Sequence, residues 1–115
     1  MHEYSIVAAL IERVETEARS HKAERIHGVH VCIGELAGIE TELLATAFET
    51  FRAQTMCADA QLTIRRSAAR WTCPKCKRTL ESGARLSCPD CSVPARLTEG
   101  AEIVLERIDL EVPDV

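Results

Sequence analysis

Two stretches of the chain repeat their apolar residues with the period of an α-helix. Over residues 4–20, charged residues occupy one face and the opposite face carries Ile6, Val7, Leu10, Ile11, Val14 and Ala18. The second stretch runs from Thr41, which we expect to cap it, to about Ala53. Its expected buried face consists of Leu43, Leu44, Ala47, Phe48 and Phe51. The sequence therefore predicts two amphipathic helices.

Three further stretches have the period of a β-strand. Residues 26–33 and 61–66 alternate apolar with polar side chains, and β-branched residues dominate the first of them. Residues 102–112 are ambiguous, because every fourth residue from Val104 is apolar and would also share one helical face. Their β-branched content and the absence of capping residues favour a strand.

Four cysteines in the second half of the chain form two matched pairs. Cys73 and Cys76 enclose Pro-Lys, and Cys88 and Cys91 enclose Pro-Asp. Two such pairs at this separation can place four thiolates around one Zn²⁺ as a tetrahedron, and each proline stiffens its turn. The pattern predicts a closed Cys₄ zinc site. Such a site is structural, because it leaves no open position for water or substrate.

Disulfides and a redox-active pair are the competing interpretations of these cysteines. Disulfides require an oxidising compartment, and the N-terminus has neither the basic start nor the apolar core of a signal peptide. A redox pair usually lies between a strand and a helix and does not occur in matched pairs. Cys32 and Cys57 are far from the pairs in sequence, and we expect them to be small buried apolar residues.

The elements together predict an α+β fold in which two helices pack on a small mixed three-stranded sheet. The Cys₄ zinc-ribbon module is inserted before the last strand. We assign residues 1–69 and 99–115 to the α/β domain and residues 70–98 to the zinc ribbon.

Composition excludes several classes of function. Apolar residues make up 46% of the 115 residues and no transmembrane run occurs, so we expect a cytoplasmic globular protein without a membrane partner. No nucleophile with a nearby base, phosphate-binding glycine loop or usefully spaced pair of carboxylates is recognisable. We therefore expect the protein not to be an enzyme.

The charge is unevenly distributed. The net charge is −4, yet residues 65–85 contain seven basic residues and one acidic residue. Part of this positive charge compensates the anionic zinc–thiolate centre. The rest leaves two alternatives open, a nucleic-acid-binding ribbon and a protein adaptor. Nucleic acid is disfavoured, because the remainder of the chain is acidic and Trp71 is the only nearby aromatic residue able to stack on bases.

A second candidate site lies at the start of the chain, Met1-His2-Glu3. The amine of Met1, the backbone amides of His2 and Glu3, and the imidazole of His2 can close fused chelate rings in one plane. Four nitrogens in a plane suit Ni²⁺ or Cu²⁺ and do not suit tetrahedral Zn²⁺. From the residues alone this signal is weak, since an early histidine is common.

Several segments resemble the HypA/HybF hydrogenase nickel-incorporation metallochaperones, in the same order along the chain. The resemblance covers essentially the whole chain. It rests on the two Cys-Pro-x-Cys turns and on the segments Met1–Ile6, Ile33–Glu40, Leu44–Phe51 and Gly100–Ile108.

The resemblance implies a nickel carrier and a set of ligands. His2 would bind the nickel cargo, together with the terminal amine of Met1 and the amides of His2 and Glu3, and Glu40 lies where a carboxylate could approach the metal. The four paired cysteines would hold structural zinc. One departure is that Lys77 and Ser92 follow the pairs, where glycine is often found in such turns.

The resemblance also implies partners. The family delivers nickel to the large subunit of [NiFe]-hydrogenase together with the GTPase HypB. In some organisms it also delivers nickel to urease, which implies urease accessory proteins as partners there.

Overall fold

The two predicted helices and the three predicted strands occur in the expected order, and three further short strands lie between the last two of those strands in the part of the chain that the structure describes. The computed structural model describes residues 2–80 and 87–113, apart from the side chain of His2. The helices are α1 (His2–Ser20) and α2 (Thr41–Phe51). The strands are β1 (Arg25–Gly34), β2 (Gln61–Ser67), β3 (Arg70–Thr72), β4 (Thr79–Leu80), β5 (Arg96–Glu99) and β6 (Ile103–Glu111). The ambiguous last stretch is thus a strand.

The strands form two three-stranded sheets, with orders β2-β1-β6 and β4-β3-β5. In the first sheet, the amide of Glu24 donates to the carbonyl of Glu111 and the amide of Gly34 donates to that of Glu102, so β6 runs antiparallel to β1. The amide of Glu35, just after β1, donates to the carbonyl of Ser67 at the end of β2, so the two strands end side by side and run parallel. A crossover through α2 joins them, as parallel neighbours require. The predicted two helices and mixed three-stranded sheet are confirmed.

The described residues divide into two compact units. The helical unit comprises those of Met1–Cys32, Ile39–Arg65 and Val104–Val115. The cysteine unit comprises those of Ile33–Gly38 and Arg66–Ile103. The short segment 33–38 therefore groups with the cysteines, although it is distant from them in sequence.

Apolar side chains from both helices and from β1 form the core of the helical unit. They follow the predicted face of α1, with Ile6 half-buried. Fully or nearly fully buried are Val7, Leu10, Ile11, Val14, Ala18, Ile26, Val29, Val31, Leu44, Ala47 and Phe48. Cys32 and Cys57 are buried as expected, and burial is the main cause that raises the pKa of Cys57 to about 11. Neither α1 nor α2 combines the length and apolar composition that crossing a bilayer requires.

The start and end of α2 differ from the prediction. Glu40, not Thr41, is the N-cap residue, because its carbonyl accepts the hydrogen bond of the Leu44 amide, and no side chain caps the helix. The helix ends at Phe51 and does not reach Ala53.

The buried face of α2 is also narrower than predicted. Leu43 is 55% exposed and Phe51 is 42% exposed, so neither belongs to the core. Leu43 lies one residue, about 100° of helical rotation, from buried Leu44. Phe51, at the last turn, contacts the ring of Tyr4 edge-on at a centroid distance of 5.3 Å.

Polar pairs between strands hold β6 to its sheet. His30 Nε2 lies 2.7 Å from Asp109 Oδ2, and His27 Nε2 lies 2.8 Å from Glu111 Oε1. Arg65 donates two hydrogen bonds to the carboxylate of Glu106, at 3.1 and 2.6 Å. The hydrogen bond with His30 is the main cause that lowers the pKa of Asp109.

Replacing Gly34 by alanine should destabilise the protein by roughly 3 kcal/mol. A Cβ at Gly34 would lie 2.2 Å from the backbone carbon of Gly100, and backbone cannot rotate away as a side chain can. Gly38→Ala is the matched control, because Gly38 has φ +73° but no atom within 4 Å of its Cβ position. It should cost about 1 kcal/mol, the strain of the left-handed backbone. Thermal unfolding followed by circular dichroism measures both, and equal losses would contradict the close backbone approach.

The carboxylate of Asp109, which bonds His30 and Arg107, should contribute to stability only at a pH where it is ionised. A carboxyl group whose pKa is lowered in the folded state stabilises the protein above its unfolded pKa, about 3.9. That contribution disappears as the pH falls through the lower, folded pKa. Asp109→Asn should therefore be less stable than the wild type at pH 7, and the difference should shrink below about pH 4. Urea unfolding at several pH values measures this difference in stability; a difference that does not change with pH would exclude the ionised carboxylate of Asp109 as its source.

Candidate metal centre

The four paired cysteines converge in the cysteine unit. The Sγ atoms of Cys73, Cys76, Cys88 and Cys91 all lie within 4.8 Å of one another, and those of Cys76 and Cys88 are 3.8 Å apart. Zn–S bonds of about 2.3 Å in a tetrahedron give S···S edges of roughly 3.8 Å. The cluster therefore has the dimensions of a tetrahedral thiolate site and fits zinc.

Both cysteine pairs adopt the same turn. In the first, the amide of Lys77 donates to the carbonyl of Cys73 at 2.9 Å; in the second, the amide of Ser92 donates to that of Cys88 at 2.9 Å. The amide of each leading cysteine in turn donates to a carbonyl five residues later. These backbone hydrogen bonds position the cysteines independently of a metal ion.

The residues that replace glycine after each pair do not alter this turn. Lys77 has φ +65° and Ser92 has φ +55°, so both adopt the left-handed conformation that glycine usually supplies. Each of these residues is strained by roughly 1–2 kcal/mol relative to glycine. The turn is maintained at that cost.

Hydrogen bonds and burial give the thiols of the cluster different pKa values. The backbone amides of Cys76 and Lys75 point at Cys73 Sγ, at 3.5 and 3.4 Å. The amide of Cys76 is the main cause that lowers the pKa of Cys73 to about 6. Burial, followed by the neighbouring sulfur atoms, raises the pKa of Cys91 to about 12. Without a cation the cluster holds protons, so metal binding releases them and depends on pH.

The leading cysteine of each pair is less accessible than the second cysteine. Cys73 and Cys88 are buried, Cys76 is exposed and Cys91 is half-buried. Arg78 donates to Asp90 at 2.8 Å, which links the first turn to the second on the surface. With four protein sulfurs as donors the site has no position for a substrate, so it can stabilise structure but cannot bind and transform a substrate.

The second candidate site lies partly outside the described residues. Met1 and the side chain of His2 belong to the part that is not described. The backbone of α1 begins at His2, and the first four amides of an α-helix have no acceptor within the helix. The amides of His2 and Glu3 are among these four, so helical hydrogen bonding does not consume them.

The structure brings Glu40 to the first turn of α1. The amide of Glu40 donates to Glu3 Oε2 at 3.4 Å, a long hydrogen bond, and Glu40 itself is exposed. Sequence reasoning placed both residues near the candidate nickel site but missed this contact. No local pattern could have revealed it, because the two residues are 37 positions apart.

Comparison with known proteins gives a consistent result. The model of a family described as HypA, hydrogenase/urease nickel incorporation metallochaperone, matches residues 1–110. Hydrogenase maturation factor HypA of Wolinella succinogenes is 38% identical, with 99% of this chain and 98% of that protein covered. The same factor of Helicobacter hepaticus is 34% identical, with 97% and 98% covered.

Two solved structures share the fold. The solution structure of the Ni metallochaperone HypA from Helicobacter pylori has a TM-score of 0.76 and 31% identity, with 96% of this chain and 98% of that chain covered. A second solution structure of a HypA protein has a TM-score of 0.81 and 32% identity, with 98% of both chains covered.

Ser92→Gly should stabilise the metal-loaded protein by about 0.5–1 kcal/mol. Glycine removes the strain energy of the left-handed backbone at residue 92. This gain exceeds the free-energy cost of the extra conformational entropy that glycine gives the unfolded chain. Lys75→Gly is the matched control, because Lys75 lies in the other turn without a positive φ and should lose stability. The midpoint of thermal unfolding measures both. A loss of stability in Ser92→Gly would show that this turn carries no relievable strain.

Proposed function

The chain belongs to the HypA family of hydrogenase/urease nickel-incorporation metallochaperones, and on that basis we propose that it binds Ni²⁺ at its N-terminus and delivers it during maturation of [NiFe]-hydrogenase. A metallochaperone is a carrier and not an enzyme. Nickel is therefore its cargo and not a catalytic cofactor. The observation that carries the proposal is the family match over residues 1–110, which includes the Met-His-Glu start and all four paired cysteines.

The Cys₄ cluster is proposed to hold a structural Zn²⁺. Its support is the donor chemistry and size of the cluster, with sulfur atoms within 4.8 Å of one another. Thiolate donors in a tetrahedron favour zinc, and bound zinc would link the two cysteine turns within one small unit. The residues that would hold it are Cys73, Cys76, Cys88 and Cys91.

Nickel is proposed to bind where the chain begins. The ligands would be the amine of Met1, the amides of His2 and Glu3, and the imidazole of His2. The carboxylate of Glu40 would approach the metal from the side. Two observations support this placement. The first amides of α1 lack helical acceptors, and the amide of Glu40 lies 3.4 Å from Glu3 Oε2.

Two donor sets of different chemistry would keep the two metals apart. Soft thiolates in a tetrahedron select zinc, whereas amine, amide and imidazole nitrogens in a plane suit Ni²⁺. Donors that come from the first residues of the chain can release their metal, whereas a closed site of four thiolates from two turns retains it. The difference suits a carrier, which must release its cargo but not its structural ion.

The partners follow from the carrier function. We propose that the protein acts in the cytoplasm with a HypB-type GTPase. Nickel would then pass to the hydrogenase large subunit and, where urease is the recipient, to urease accessory proteins.

The alternative of a nucleic-acid-binding ribbon is less well supported. Within residues 65–85, Arg65, Arg70 and Arg78 form ion pairs with the carboxylates of Glu106, Glu99 and Asp90. These carboxylates neutralise part of the positive charge that would otherwise attract the phosphates of a nucleic acid. Binding to an oligonucleotide that weakens with salt would favour this alternative over the carrier.

His2→Ala, or one extra residue before Met1, should weaken Ni²⁺ binding at least about tenfold, because each removes one of the planar donors. Zinc content and fold should be unchanged. The control is His21→Ala, which removes an exposed histidine after α1. Nickel binding should also weaken below about pH 6.5, where protons compete for an ordinary imidazole. Isothermal titration of the untagged protein measures the affinity.

The reciprocal variant completes the test. Cys73→Ser should lose zinc, measured by metal analysis. Unchanged nickel affinity in both N-terminal variants would refute the proposed nickel site, and nickel found on the cysteines would refute the division between the two sites.

A further inference from the structure

Within the cysteine unit, the segment Gly34–Gly38 bonds to the two chain segments that flank the ribbon of β3 to β5. The chain enters the β3–β5 ribbon through residues 67–69 and leaves it through residues 100–102; we call these two segments the neck. Three amides of the crossing segment reach the neck. Glu35 donates to the carbonyl of Ser67 at 2.8 Å, Leu36 donates to Gly100 at 2.7 Å and Gly34 donates to Glu102 at 2.9 Å. Both sides of the neck are therefore tied to one short segment.

A side chain completes this arrangement. Glu35 Oε1 accepts a hydrogen bond from the amide of Ala69 at 2.8 Å. Ala69 immediately precedes β3, and Cys73 immediately follows β3. The carboxylate of Glu35 thus holds the strand that leads directly to the first metal ligand.

Backbone packing shows how closely the neck is held. A Cβ on Gly34 would lie 2.3 Å from the carbonyl oxygen of Gly100, and a Cβ on Gly100 would lie 2.6 Å from Ala69 Cα. The three chain segments therefore meet backbone to backbone. Small displacements of one segment must displace the others.

The cysteine unit has a small apolar core. Among its described residues, the only buried apolar side chains other than cysteine are Ile33 and Leu80. A unit with so small a core depends on metal and on backbone contacts for its fold. Metal affinity in such a unit includes the free energy of ordering the ligands.

We propose that Glu35 is a positioning residue for the Cys₄ metal site: its carboxylate fixes the neck and thereby pre-orders the cysteine turns for the metal. This inference rests on the proposed metal at the cysteines. It does not depend on nickel binding at the N-terminus.

The test is the rate at which Zn²⁺ passes from the full-length protein to excess 4-(2-pyridylazo)resorcinol. Glu35→Ala should release zinc about fivefold faster, since one hydrogen bond contributes about 1 kcal/mol. Glu35→Gln should release zinc at nearly the wild-type rate, because its amide oxygen can still accept from Ala69. The control is Glu102→Ala, which removes the same charge at the neck. Among the described residues, no hydrogen bond or ion pair involves the side chain of Glu102.

A spectroscopic reading separates positioning from general instability. The visible absorption of the Co²⁺-substituted protein reports the tetrahedral thiolate site, and Glu35→Ala should need more Co²⁺ to reach the same final spectrum. If Glu35→Ala does not fold, Glu35→Asp replaces it; that side chain is one methylene shorter and should also release zinc faster.

The outcomes are distinguishable. Equal zinc release from Glu35→Ala and Glu102→Ala overturns the inference, as does a Glu35→Gln variant as defective as Glu35→Ala. A wild-type protein that binds neither Zn²⁺ nor Co²⁺ at its cysteines refutes the proposed structural metal, and the inference with it.

Discussion

Convergence of four sulfur atoms within 4.8 Å is the constraint on which the cysteine unit depends. Thiols packed this closely cannot all ionise without a cation, as the opposite pKa changes of Cys73 and Cys91 indicate. The unit also lacks the apolar core that would fold it unaided, since Ile33 and Leu80 are the only buried apolar side chains besides cysteine among its described residues. Metal–thiolate bonds would supply both the missing charge compensation and the missing cohesion.

The helical unit is stabilised differently. Its core consists of aliphatic side chains and Phe48, and neither Glu3 nor Glu40 belongs to it. Because buried residues anchor α1 from Val7 onward, the first turn of the helix remains at the edge of that core. A metal could therefore bind to and leave the N-terminal donors without disturbing the packing. The proposed carrier function requires such a separation between the metal that exchanges and the core that persists.

Ion pairs offset part of the positive charge that residues 65–85 carry. Arg65, Arg70 and Arg78 each have a carboxylate partner, and these partners lie far along the chain or in the opposite cysteine turn. Exposed pairs of this kind contribute little to stability, about 0–1 kcal/mol each. Their effect on function is larger, because paired arginines attract polyanions less strongly than a bare basic patch would.

The sequence by itself determined the features that depend on neighbours in the chain. Helical and strand periods identified both helices and all three strands of the larger sheet, and the spacing within each cysteine pair identified a four-thiolate site. The tertiary structure alone decided what depends on residues far apart in sequence. Examples are the exposure of Leu43 and Phe51, the contact between Glu3 and Glu40, and the hydrogen bond from the Ala69 amide to Glu35. The physical reason is that periodicity reports which face of an element is apolar, whereas packing decides how much of that face is covered and which distant backbone group meets a given carboxylate.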